Sequence, residues 1–171
     1  MSAVQLVTVA ALAENRTIGV DGEVPWSHIE ADVRQYRERV AGSPVVLGRR
    51  TFDSMRDDLP GARQIVVSRS VDSVDVPTAV VADGVNAAIE LAREIVASGA
   101  FPDDTVYVLG GGAIYDLFHP HIDRMVLSHV TGAYDGDTLF PAWNDDEWTV
   151  TDETEYDRFT LRNWVRRADE P

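Results

Sequence analysis

The chain of 171 residues has no cysteine and no lysine. Without cysteine there is no disulfide and no thiolate metal site. Without lysine, all 15 basic residues are Arg, set against 29 Asp and Glu, for a formal net charge of −14. A surface of that sign repels nucleic acid and anionic membrane, so neither is expected as a partner. Also missing is any run near the roughly 18–20 apolar residues that span a bilayer. The N-terminus lacks the basic start and cleavage site of a signal peptide. These absences predict a soluble cytoplasmic protein, and the length fits one domain with a real core. The acids are dispersed (Asp57-Asp58, Asp103-Asp104, Asp145-Asp146-Glu147, Asp152-Glu153) and form no single tail. Beside abundant Arg and no Lys, that composition favours a surface adapted to a cytoplasm rich in salt, which screens the self-repulsion.

Apolar runs and their punctuation indicate an α/β protein. Val4–Leu12 reads as a buried central strand, and Asn15–Trp26 as a loop. Further strands are predicted at Pro44–Gly48, Gln64–Ser68, Ala79–Val81, Thr105–Leu109 and Arg124–Val130, with two β-like runs around Trp148–Val150 and Phe159–Val165. Val85–Ala97 carries an amphipathic helical period, and Arg49–Met55 and Ala113–Phe118 read as short helices. Strands alternate with helices early and pair without them late. That order implies a mostly parallel sheet with an antiparallel edge.

The segment Val24–Tyr36 is the most informative. Val33, Tyr36 and Val40 form an apolar helical stripe, and Asp32 lies one turn before Tyr36, flanking it. An acid there is either a helix-start residue stabilised by the dipole and nearby Arg, or a group awaiting a polar ligand.

Three strand ends suit phosphate. Gly110-Gly111-Gly112 stands where a strand hands over to a helix, and backbone N–H groups there can approach an anion. On its own it is equally a turn, and it does not match G-x-G-x-x-G. Gly48-Arg49-Arg50-Thr51 and Ser68-Arg69-Ser70 supply the other two ends. In an acidic chain, Arg49, Arg50 and Arg69 at the carboxyl ends of strands point to a phosphorylated adenosine ribose. The four histidines, His28, His119, His121 and His129, show no ligand spacing, so no metal site is read and each is expected at the surface or as a cap. No nucleophile has the context for covalent catalysis.

Over nearly its whole length the chain resembles the dihydrofolate reductase family. The motifs that carry the resemblance occur in the family's order: Val9-Ala10-Ala11-Leu12, Ile18-Gly19, Pro25-Trp26, Ala31-Asp32, Val46 to Ser54, Leu59-Pro60-Gly61, Val67-Ser68-Arg69, Gly110 to Tyr115 and Gly136-Asp137-Thr138. Each is weak alone, and the ordered set is specific. The acidic, Lys-free composition is similar to that of haloarchaeal members.

The resemblance implies a single domain over residues 1–171, with an eight-stranded, mostly parallel sheet, an antiparallel C-terminal edge and helices on both faces. It also implies NADPH-dependent reduction of 7,8-dihydrofolate, with hydride transfer to C6 and protonation of N5. Asp32 would hold the pterin edge and act on N5 through charge and an ordered water. Trp26 would hold a water near it, and Ser128, where the family usually has Thr, would link acid and pterin through water. Val9, Val33, Tyr36 and Met55 would line the substrate pocket. Ala11, Ile18, Gly19, Gly22, Arg49, Arg50, Thr51, Ser68, Arg69, Gly110, Gly111, Gly112, Ala113, Ile114 and Tyr115 would hold NADPH. Antifolates such as methotrexate are expected ligands, and a monomer is expected. The chain departs from the family's pattern twice. Ala62 follows the Leu-Pro-Gly turn where Arg is usual, leaving Arg63 as the candidate for the folate tail, and Ala113 replaces a frequent basic residue. The pyrimidine reductase of riboflavin synthesis shares the fold and cofactor but lacks the Trp26–Asp32 pairing. A non-catalytic pterin-binding protein is the rival from another class.

Overall fold

The computed structural model describes residues 4–20 and 23–167. Gly22, expected beside the cofactor, lies outside the described residues. In chain order the elements are β1 (Gln5–Ala13), β2 (Thr17–Gly19), α1 (Glu30–Val40), β3 (Pro44–Gly48), α2 (Arg49–Ser54), β4 (Arg63–Val67), β5 (Ala79–Ala82), α3 (Val85–Ala97), β6 (Thr105–Val108), α4 (Gly112–Phe118), β7 (Arg124–Val130), β8 (Thr138–Leu139), β9 (Trp148–Glu155) and β10 (Phe159–Arg166). Eight strands form one sheet in the order β5-β4-β3-β6-β1-β7-β10-β9. The pairs from β5 through β7 are parallel, and β10 joins β7 and β9 antiparallel.

Alternation along each strand divides the core in two. Leu6, Ala10 and Leu12 of β1, Val46, Ile65, Val106, Val108, Met125 and Leu127 pack on one face with Ala88, Ala92 and Ile95 of α3 and Ile114 and Phe118 of α4. Val7, Val9 and Ala13, with Val45, Leu47, Val66, Tyr107 and Val126, pack on the other with Trp26, Ile29, Val40 of α1 and Phe52 of α2. Covered on both faces, β1 and β3 had to be apolar nearly throughout, as their sequences are. β6 lies between β1 and β3, although β3 precedes it in the chain. The resulting crevice at the carboxyl ends of these strands is where such sheets bind ligands.

Three elements depart from expectation: β2, β8 and β9. The loop read over Asn15–Trp26 contains β2, which pairs antiparallel with β8 through Thr17–Leu139 and Gly19–Thr138. Segments of three and two residues carry no local period, so only the distant partner defines them. β9 extends to Glu155, five residues past the apolar run, because an edge strand exposed from Val150 onward can carry Asp152-Glu153-Thr154-Glu155. Charge on an exposed edge also discourages pairing with another chain.

Of the histidines, His28 and His121 are exposed and His119 is the C-cap of α4, as expected, whereas His129 corrects the expectation. His119 and His129 are half-buried, His119 against Phe140 and Trp148, and His129 against Trp143 and Trp164. Trp164 Nε1 donates to His129 Nε2 at 3.1 Å, which requires an unprotonated ring nitrogen. Burial, seconded by Arg162, pushes the His129 imidazole down to about 4 against the weaker opposing pull of Glu153. A base whose folded pKa is depressed favours folding while neutral. Its contribution is complete above about 6.5 and is lost as pH falls toward about 4. Denaturant unfolding of wild type and His129→Gln across that window should show wild type losing about 1–2 kcal/mol relative to the variant, since solvent screens the half-exposed ring. Parallel stability curves would contradict this.

Candidate functional site

Asp32 stands in the first turn of α1, whose N-cap, Ile29, offers no side-chain bond. The carboxylate is half-buried, and none of the ion pairs among the described residues involves it. Its partners are neutral. Ser128 Oγ donates to Asp32 Oδ1 at 2.5 Å, and Gln35 Nε2 donates to the same oxygen at 3.0 Å. Ser128 is buried in β7, paired in register with Ala11 of β1, so the strands deliver the hydroxyl beneath α1. The sequence reading linked Ser128 to the acid through water, and the structure has a direct bond. Gln35 was missed, although it lies three residues after Asp32, on the same helical stripe.

A cavity of about 220 Å³ opens beside this acid. Val9, Ala10 and Ala11 of β1 and Leu109 and Tyr115 form one side, and Asp32, Val33, Gln35 and Tyr36 of α1 with Met55 form the other. Val33, 39% exposed, is at its lip. Burial holds the Tyr36 phenol above its ordinary pKa, so Tyr36 presents a neutral, largely apolar ring. Tyr115 is more deeply buried, and its hydroxyl donates to Val9 O at 2.8 Å with Leu109 O also within 3.0 Å. Burial keeps that phenol un-ionised, and the bonds tie the middle of β1 to the residue that follows β6.

Three predicted substrate or catalytic residues do not line the cavity: Ser128, which is joined to it through Asp32, Trp26 and Arg63. Trp26 is buried in the adjoining core, its ring edge-on to Tyr134 at 5.8 Å between centroids. Arg63 begins β4, and its Nε donates to Thr78 O at 3.0 Å beside β5. Arg37 is nearer the cavity: its guanidinium carbon lies 5.6 Å from the Tyr36 ring centroid, and Nη1 donates to Asp58 O at 2.9 Å.

The glycine-rich strand ends meet as expected, for reasons the sequence reading only partly anticipated. Gly48 N donates to Gly110 O at 2.8 Å, joining the ends of β3 and β6. A Cβ on Gly48 would stand 2.9 Å from Ile114, one on Gly110 (φ +103°) 2.8 Å from the Tyr115 ring, and one on Gly112 would strike the Thr138 methyl near Ile18. These three glycines are required by packing within the protein. Gly111 differs, since a Cβ there would have only the Thr51 hydroxyl nearby, at 3.5 Å. Internal packing therefore does not require a glycine at 111 as it does at its neighbours. Gly19 O accepts from Asp137 N at 3.0 Å, which holds β2 against the segment leading into β8. Ala113 is exposed in α4.

The cationic cluster adjoins the ends of β3 and β4. Arg49 Nη1 donates to Ser70 Oγ at 3.4 Å, and Ser70 Oγ lies 3.2 Å from Ser68 Oγ. Arg49 Nε is 3.3 Å from Asp53, whereas Arg50 and Arg69 are exposed and make no ion pair among the described residues. Ser70 joins the cluster as a residue not predicted. Arg50 and Arg69 thus keep exposed positive charge beside the ends of β3 and β4 on a chain of charge −14.

The sheet order, the crevice at its carboxyl ends and the acid beside it define an α/β protein whose candidate site lies at the strand ends. The dihydrofolate reductase profile matches residues 5–164. Dihydrofolate reductase 1 of Haloarcula marismortui is 40% identical, with 98% of this chain and 94% of that protein aligned. Dihydrofolate reductase HdrB of Haloferax volcanii is 36% identical over 97% of this chain and 86% of its own length. Dihydrofolate reductase of Haemophilus influenzae is 32% identical over 95% and 88%. The chain belongs to the dihydrofolate reductase family.

Proposed function

We propose that the protein reduces 7,8-dihydrofolate to 5,6,7,8-tetrahydrofolate, with NADPH as the reductant. The observation that carries this is Asp32: a carboxylate at a small cavity, held through Oδ1 by Ser128 and Gln35, with no donor on Oδ2 and no paired cation among the described residues. A pterin edge offers two adjacent donors, N3–H and the 2-amino group, and a carboxylate accepts both. Asp32 then fixes the ring between Val9, Ala11, Val33, Tyr36 and Met55. Its negative charge favours the proton arriving at N5, delivered by water rather than by the carboxyl itself. The apolar walls and the neutral phenols of Tyr36 and Tyr115 exclude bulk water from the reacting centre.

The residues present suit NADPH. Gly111 and Thr51 leave an open backbone seat at a strand end, and Arg49, Arg69, Ser68 and Ser70 gather the donors that a ribose phosphate needs. Bound there, NADPH supplies the hydride for C6. Arg50, Ile18, Gly19, Gly110, Gly112, Ala113, Ile114 and Ala11 complete the expected contact surface, Gly112 and Gly110 by allowing close packing beneath it.

For the folate tail we favour Arg37 over Arg63, since Arg37 lies beside the pocket residue Tyr36 and Arg63 is turned to Thr78. Antifolates with a donor edge like methotrexate would compete for Asp32. We read the protein as a monomer of a salt-rich cytoplasm, a reading supported by its composition and its haloarchaeal relatives. Turnover with NADPH deuterated at the transferable position tests the chemistry. Label at C6 of tetrahydrofolate is expected, and label absent from C6 would contradict it.

A further inference from the structure

We infer that Gln35, supported by Arg39, is a positioning residue that presents the Asp32 carboxylate to the substrate; this rests on the reading of Asp32 as the pterin anchor. Asp32, Gln35 and Arg39 follow one stripe of α1 at i, i+3 and i+7. Arg39 Nε donates to Gln35 Oε1 at 3.3 Å, and Gln35 Nε2 donates to Asp32 Oδ1 at 3.0 Å. The orientation of the amide follows from its partners. A guanidinium only donates and a carboxylate only accepts, so the carbonyl must face Arg39 and the NH2 must face Asp32. Ser128 lies within the same ring of bonds. Its proton goes to Asp32, so its oxygen can accept the Gln35 NH2, at 3.5 Å.

Three consequences follow for the acid. Oδ1 takes two protein donors, which fixes rotation of the carboxylate and leaves Oδ2 facing the ligand. Arg39 polarises the amide, so cationic character reaches Asp32 without an ion pair that would compete with the pterin donors. The partly buried carboxylate is stabilised by oriented dipoles that need not rearrange when substrate binds. A packing role alone would need only a side chain of this length that engages Arg39.

Two substitutions of matched size separate these roles. Gln35→Met removes donor and acceptor. Gln35→Glu keeps the length and the acceptor for Arg39 but turns an oxygen, in place of an N–H, toward Asp32. Each would be compared with wild type for kcat and KM toward dihydrofolate, methotrexate affinity, NADPH affinity and Tm. If Gln35 positions the acid, Gln35→Met loses about tenfold in kcat/KM and in methotrexate affinity, the weight of one charge-assisted hydrogen bond. Gln35→Glu loses more, while NADPH affinity and Tm stay near wild type in both. Gln35→Glu with wild-type kcat/KM and antifolate affinity would overturn the inference, as would losses that merely track a fall in Tm. Wild type measured alongside keeps the two readings apart. If it shows no dihydrofolate turnover, the proposed function itself fails.

Discussion

Asp32→Asn is expected to lower dihydrofolate turnover by about 10²–10³-fold at neutral pH, the cost of losing one preorganised electrostatic group. The substitution keeps shape but reverses chemistry. Asn has a single acceptor oxygen, and Ser128 and Gln35 already donate to the position it would occupy. If that oxygen stays with them, an NH2 group faces the donor edge of the pterin. If the amide flips, the NH2 meets the donors of Ser128 and Gln35 instead. Either arrangement leaves donors opposed, and the charge that favours protonation of N5 is gone in both. NADPH affinity should change less than about twofold, because the cluster at Arg49, Ser68 and Ser70 belongs to other elements. Single-turnover kinetics with saturating NADPH would read the loss directly. Unimpaired turnover would return Asp32 to an ordinary helix-start acid.

The second large effect concerns the reductant. Replacing Arg49 and Arg69 together by Ala should cut kcat/KM with NADPH by about 10²-fold, as two charge-assisted contacts are lost. The same variant should keep its NADH activity, so the preference between the two nucleotides collapses. Arg49 already shares its charge with Asp53, while Arg69 has no ion pair among the described residues, so Arg69→Ala should be the larger single effect. The loss should shrink in concentrated KCl, where exposed phosphate contacts are screened. An unchanged NADPH/NADH preference would remove the phosphate assignment.

Much of this site was legible because it depends on strand ends and one helix stripe. The run Val4–Leu12 reads as a buried strand, found at Gln5–Ala13, and Val85–Ala97 has the full period of an amphipathic helix, found over those residues. Asp32 was visible because an acid beside an apolar stripe requires an explanation. Gln35 was not, because a glutamine on a helix carries no charge imbalance to explain, and its significance arises only when β7 brings Ser128 under the helix. The glycine run shows the opposite failure. Its residues were noticed, but sequence could not separate Gly111, open beside Thr51, from Gly110 and Gly112, which are packed against Tyr115 and Thr138. Arg63 was read as the nearest basic residue to a missing one, and only the fold reveals its bond to Thr78. β2 and β8 were illegible for a simpler reason: their pairing spans over a hundred residues and neither segment has a pattern of its own.

The most direct test is the absorbance of NADPH in molar KCl after addition of dihydrofolate, with and without methotrexate. The expected result is a loss of absorbance that requires dihydrofolate and stops when methotrexate is present. Absorbance that is indifferent to dihydrofolate would contradict it.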